Sequence, residues 1–356
     1  MWINSPPFDS HAGGLNDSIR GQFSMSDFLR ELLVNLHASI GNGWFLAFSF
    51  IVTAALCLLL IPKTTDWMVN ASAGLAGKYF GRDSRTMVIN CSTNNPELFA
   101  MLIAFCLGRI GGVANPLGSN FANIYLMFFV ALFIVLAWWT ITGRFTKAKA
   151  LGSLIWKEKR LWTWHFLAAL MMFLAASVGY WSLTGADQFR ITGEPSESLR
   201  GPGWLFLAAG ICLAALIVFF IFEKRLKKKR GELFEEIDDS EHTESWFWFF
   251  AGTGGLVFAC YLMNSMFLAW GDLYQEQLSL IFGPAVFTAL HYFLGSLVTS
   301  LPETSVAIRN YRRCTAPDLN TALGSASYSN MSNLAIAAIG AVLGGLLLIL
   351  GFNLSL

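Results

Sequence analysis

Charge is what this sequence has least of. Only 13% of its 356 residues are Asp, Glu, Lys or Arg, against 55% hydrophobic ones, and the mean hydropathy is +0.53. A soluble chain of this length cannot hide so much apolar surface, so a bilayer is its main solvent. The net charge of +1 and the lack of any recognition motif leave a nucleic-acid partner without support. Cysteine is also sparse. Cys57, Cys91, Cys106, Cys212 and Cys260 fall in apolar stretches and Cys314 in a basic loop, with no spacing that suggests a metal site or a disulfide framework. No phosphate loop, nucleophile triad or redox motif is found, so neither an enzyme nor a cofactor is expected. The opening "MWINSPPFDSHAGG" lacks the basic-then-apolar order of a cleavable leader.

What is present is a series of apolar runs. Stretches long enough to cross roughly 30 Å of hydrocarbon fall near 42–62, 87–113, 117–141, 162–184, 203–222, 246–270, 285–308 and 328–352. The expected fold is therefore all-α and polytopic, with about eight transmembrane helices. Thirteen tryptophans and 31 phenylalanines suit lipid-facing and interfacial positions. Residues 1–41 are mostly polar, but Phe28, Leu29, Leu32, Leu33 and Leu36 share one helical face, the pattern of a helix lying on the membrane surface. A first transmembrane half, 42–222, is divided from a second, 246–356, by a charged loop, 223–245.

Basic residues set the orientation. All of the 24 lysines and arginines except Arg20, Arg30, Arg109, Arg190 and Arg200 fall in the loops after the first, third, fifth and seventh spans. Those loops are expected in the cytoplasm and both termini outside it, with the plasma (inner) membrane as the location.

Two apolar runs contain an unexpected break. "STNNPELF" (Ser92–Phe99) and "VTSLPETS" (Val298–Ser305) share Thr-x-x-Pro-Glu, at Thr93–Glu97 and Thr299–Glu303. Each is followed by Ser-Asn-x-x-Asn: Ser119, Asn120 and Asn123, then Ser329, Asn330 and Asn333. The second span is expected to run outward and the seventh inward, so the repeats are inverted, as in secondary transporters with interrupted helices and a midplane site. Proline lacks an N–H and frees a carbonyl one turn back. An acid within a membrane costs several kcal/mol unless paired or solvated. The oxygens of Glu97, Glu303, Thr93, Asn94, Thr299 and Ser300 would make a cage suited to a hard cation. Ser119, Asn123, Ser329 and Asn333 could close it, since i and i+4 share a helix face. Against this stands a purely structural reading, in which proline only kinks and Ser, Thr and Asn only bridge helices.

These motifs resemble the α-repeats of the calcium/cation antiporters, which include the sodium/calcium exchangers. That family carries Gly-Thr-Ser-x-Pro-Glu in one helix and Gly-Asn-x-x-Gly-Ser-Asn-x-x-Asn/Asp in the next. Here "STNNPE" and "ANPLGSNFAN" match the first repeat, and "VTSLPE" and "GSASYSNMSN" the second. The resemblance implies antiport of Ca²⁺ against Na⁺ or H⁺, with Glu97 and Glu303 as central ligands and Thr93, Thr299, Ser119, Ser329, Asn123 and Asn333 around them. A non-transporting membrane module that binds cations is the other reading. Departures are Ser92 and Val298 for glycine, Asn94 for serine, Ser325 for asparagine and Tyr328 for glycine. The family has ten spans; this sequence gives five and then three, which a homo-oligomer could complete. The expected partners are inorganic cations and membrane lipids. His165 and His291 lie in apolar runs, where a hydrogen-bonded structural histidine and, for His291, a proton relay to Glu303 both fit.

Overall fold

The computed structural model describes residues 24–80, 92–184, 201–229, 243–283 and 285–355. Among them regular structure is helical throughout, apart from an isolated bridge between Arg109 and Ser355. In chain order the helices are α1 (Ser24–Ile40), α2 (the continuous run Asn42–Ala55, Leu56–Leu60 and Ile61–Phe80), α3 (Asn95–Cys106), α4 (Ile110–Ile141) and α5 (Phe145–Lys157). There follow α6 (Lys159–Thr184), α7 (Pro202–Lys229) and α8 (Trp246–Phe282). Next come α9 (Val286–Leu290, a wide π turn at His291–Gly295, and Ser296–Thr299), α10 (Leu301–Tyr311) and α11 (Ala316–Ile349).

Six of these, α2, α4, α6, α7, α8 and α11, are long and apolar enough to cross a membrane. The eight expected spans are thus corrected to six among the described residues. Both discrepancies lie at the proline motifs. Within the run expected at 87–113, helix α3 starts at Asn95 after a break at Asn94 and stops at Cys106, and the run at 285–308 is cut between α9 and α10; residues 87–91 lie outside the described residues. Pro96 and Pro302 each sit in the first turn of a new helix, where the missing N–H costs nothing. Elsewhere helix replaces expected loop: α2 continues through Phe80, and α7 runs to Lys229. Arg82, Arg85, Cys91 and most of the charged loop lie outside the described residues.

Large apolar side chains face outward along the long helices, among them Phe133, Trp138, Ile217, Phe220, Phe258 and Ile339. In water this surface would be a liability; with six apolar helices it marks an integral membrane protein. Asp66 lies near Lys63 and Arg309, and Cys314 near Lys147, so basic residues of three loops expected on one side gather at one end.

Two apolar cores flank a polar seam. One joins α4, α5, α6, α10 and α11 around Phe128, Trp139 and Tyr311. The other joins α2, α3, α8 and α9 around Met68, Met263 and Phe267. Glycine allows the close crossings. A Cβ on Gly252 would meet the Met68 and Thr64 backbone, and one on Gly344 the Ile110 side chain. Gly340 and Gly345 also face neighbours as expected of packing positions, whereas Gly254 faces open space.

Part of the apolar face of the first helix packs on the protein itself. Leu33 is buried, and Leu29 and Leu36 pack with it against Phe45 of α2 and Met266 and Ala269 of α8. Only Phe28 and Leu32 of the apolar face remain exposed. Arg30 pairs with Asp272 on α8, a half-exposed contact worth at most about 1 kcal/mol. Burial of the leucine stripe therefore holds α1 in place. Leu33→Asp should release it, seen as faster tryptic cleavage at Arg30, while Asp272→Asn should leave the rate nearly unchanged.

Candidate cation site

The two motifs fold alike. The first breaks at Asn94 (φ −92°, ψ 9°) and the second at Ser300 (φ −85°, ψ 1°), and a new helix starts at once, with its glutamate in the first turn. Each break follows from local chemistry: Pro96 and Pro302 have no N–H to donate to the turn behind, so the preceding helix cannot continue unbroken through them. The N-termini of α3 and α10 carry the positive ends of their helix dipoles, which favours a carboxylate beside each.

Glu97 and Glu303 are both buried, on helices that start about two hundred residues apart. They nevertheless stand close enough for the charge of one to act on the other. Ser119, from α4, donates to Glu97 Oε1 at 3.1 Å and lies 3.3 Å from the Thr299 hydroxyl of the other repeat. Thr93 and Glu97 both act on Glu303, yet neither Glu303 oxygen closes a hydrogen bond of ordinary geometry. Glu97 Oε2 is likewise without a partner. By contrast Asp66 lies beside Lys63 and Arg309, Asp272 binds Arg30, and Glu223 accepts from Tyr328 at 2.9 Å.

A second cluster locks the seam beside the carboxylates. Asn123 Nδ2 donates to Ser329 Oγ and Asn330 Oδ1, both at 2.9 Å, and Ser329 Oγ donates to Asn94 Oδ1 at 2.8 Å. Asn330 Nδ2 in turn donates to the carbonyls of Asn120, at 3.0 Å, and Ala169, at 3.2 Å. Asn94, which departs from the serine of the resembled repeat, uses its longer amide to reach α11.

The repeat is not symmetric in its bonding. Asn123 is engaged on α4, but its counterpart Asn333 on α11 leaves both amide atoms unpartnered, and so does the Ser300 hydroxyl. One half of the site is therefore more engaged by internal bonds, though Glu97 Oε2 and Asn123 Oδ1 stay unpartnered. The other keeps Glu303, Ser300 and Asn333 with free buried oxygens, and burying such groups unpaired costs about 1–3 kcal/mol each, more where charged. Of the ten residues read from the sequence, Glu97, Ser119 and Thr299 meet in one group, Asn94, Asn123 and Ser329 are joined in another, and Thr93 and Glu97 act on Glu303, whereas Ser300 and Asn333 are buried with no side-chain bond to the rest. Asn120 and Asn330 were visible only as repeat letters; Asn330 proves to be the tie between α4, α6 and α11. Among the described residues no group of three or more His, Cys, Asp or Glu could hold a metal. The donors here are two carboxylates with hydroxyl and amide oxygens, a set that suits Ca²⁺ or Na⁺ and not a soft metal.

Gly118 sets the spacing. A Cβ there would run into the Tyr292 carbonyl and the Ser296 hydroxyl, so its absence lets α4 press against α9 and puts Ser119 between Glu97 and Thr299. Tyr328, where the resembled repeat has glycine, does not crowd this crossing. It points away, to Glu223 and the Phe219 ring of α7.

The two intramembrane histidines divide. His165 is bonded at both nitrogens, to Ser327 Oγ at 2.8 Å and Asn320 Oδ1 at 2.9 Å, as a structural histidine should be. His165→Leu should remove one buried hydrogen bond from each of Ser327 and Asn320 and cost about 1–3 kcal/mol, measured as a lower melting temperature in detergent. His291 has no partner at either nitrogen.

No protein-family model, curated protein or solved structure matches this chain.

Proposed function

We propose that the protein is a secondary active cation antiporter that exchanges Ca²⁺ for Na⁺ by alternating access at the seam between its repeats. The observation that carries this reading is the meeting of two buried carboxylates at two broken helices, with three of their four oxygens unpartnered. Helix dipoles alone would favour the anions but leave those oxygens empty; a bound cation satisfies both. Two carboxylates give a charge near −2, which one Ca²⁺ or two monovalent ions would neutralise, and such balance is what an exchanger needs. On this reading the end that gathers Lys63, Lys147 and Arg309 is cytoplasmic, the termini lie on the other side, and the plasma (inner) membrane houses the chain.

The test is uptake of radioactive Ca²⁺ into proteoliposomes holding an outward Na⁺ gradient, beside the same vesicles with a pH gradient. Uptake that collapses with the Na⁺ gradient supports the proposal, and uptake driven only by pH names H⁺ as the counter-ion. Saturable Ca²⁺ binding with no gradient-driven flux would replace the antiporter by a membrane cation-binding module.

A further inference from the structure

We propose that His291, with Asn115 and Thr288 beside it, is a proton-binding station that shares the polar seam with the cation site. The proposal rests on the antiport reading for its consequence, though not for its existence.

His291, Asn115 and Thr288 are each fully buried. Both imidazole nitrogens, both amide atoms of Asn115 and the Thr288 hydroxyl lack a partner. They belong together. A Cβ on Gly295 would lie 2.8 Å from Asn115 Oδ1 and 3.4 Å from His291 Nδ1, so both atoms converge on one point at this glycine. Thr288 is three residues before His291, on the same helix face. The local backbone is the wide turn of α9, a distortion frequent at functional sites.

A buried group of unpartnered donors and acceptors calls for water, which bonds about three such groups at once. Water is also what lets an imidazole take up a proton. The station connects to the carboxylates along α4: Asn115 is one turn from Ser119, which binds Glu97. Of the titratable groups nearby, Cys260 on α8 shares the apolar core of Phe287 and Leu290, Glu97 on α3 acts on Cys260, and Glu303 on α10 lies beside Glu97. Arg109 stands beyond, over the Phe287 ring at 5.7 Å, and that ring meets His291 edge-on with centroids 4.6 Å apart. None of these groups bonds the imidazole, so nothing but water competes for its proton.

A proton on His291 adds positive charge to the core that receives the cation. For a unit charge about 10 Å from a divalent ion at an effective dielectric near 20, the repulsion weakens Ca²⁺ binding by about tenfold at the least. Protons and Ca²⁺ then exclude one another, and the affinity for Ca²⁺ falls with pH beyond what the carboxylates impose.

Ca²⁺ affinity of the full chain in nanodiscs, measured from pH 8 to pH 5.5 for wild type and His291→Gln, tests this. The carboxylates titrate in both proteins, so the comparison isolates the histidine. Wild type should lose at least about tenfold more affinity than the variant. Equal losses overturn the proposal. Ring-¹⁵N histidine NMR in Ca²⁺-free buffer gives a second readout that does not need transport. One imidazole signal missing from His291→Gln should titrate between pH 5 and 8, and Asn115→Leu should hold that signal neutral throughout. A His291 that stays neutral over the whole range in wild type is only an aromatic filler between Phe267 and Phe287, and the station does not exist. Failure of Ca²⁺ to bind at any pH sinks the antiport reading and leaves the NMR result standing by itself.

Discussion

Glu303→Gln is expected to abolish gradient-driven Ca²⁺ uptake and to weaken Ca²⁺ binding by a hundredfold or more, while the protein still inserts and purifies. Removing one partner of a buried charge pair costs about 3–5 kcal/mol, or two to three orders of magnitude in affinity. Glu303 is the more sensitive of the two acids because neither of its oxygens closes a hydrogen bond of ordinary geometry, whereas Glu97 accepts from Ser119. Glu97→Gln should lose flux too, but less affinity, since a Gln oxygen can still accept from Ser119. Stability should move the other way. Without Ca²⁺ the amide that replaces Glu303 has no charge to desolvate in the core, so the variant should melt at least as high as wild type. Saturating Ca²⁺, at about a hundred times its dissociation constant, should add about 2.7 kcal/mol to wild type and almost nothing to the variant. Uptake unchanged in both Gln variants would remove the carboxylates from the mechanism.

The second large effect is steric. Gly118→Val is expected to destabilise the fold by about 1–3 kcal/mol or more and to eliminate uptake, because the atom in its way is a backbone carbonyl that cannot swing aside. The cost falls on the site directly: α4 must retreat from α9, and Ser119 then loses either Glu97 or Thr299. Gly152→Ala on α5 is the matched control. Nothing lies within 4 Å of its Cβ, so it should be neutral or gain up to about 1 kcal/mol from helix propensity. Melting temperature and uptake, measured together on both variants, separate the two cases. Comparable behaviour of the two would mean that the crossing at Gly118 is looser than its geometry states.

The motif prolines made part of the site readable in advance, since their effect on the chain is covalent and local. They also upset the span count, because hydropathy averages over a window and cannot register a helix that stops and restarts inside an apolar run. At 285–308 the composition promises one helix, and Pro302 delivers two. The first helix, α1, shows a different limit. Its leucine stripe announces an apolar partner without naming it, and the partner proves to be α8 as much as lipid.

By itself, then, the sequence determined that the chain lives in a membrane, that it contains a repeated pair of broken segments, and which ten polar residues accompany the breaks. Composition and backbone chemistry decide those matters, and both are properties of the chain alone. Only the tertiary structure decided which polar atoms are satisfied. His165 and His291 look alike in apolar runs, yet one is bonded to Asn320 and Ser327 and the other, against two phenylalanine rings, has no hydrogen-bond partner at either nitrogen. Asn123 and Asn333 occupy the same letter of the repeat, yet only the first is bonded. A hydrogen bond depends on the rotation and separation of helices far apart in the chain, and no periodicity within one helix encodes what its neighbour will present.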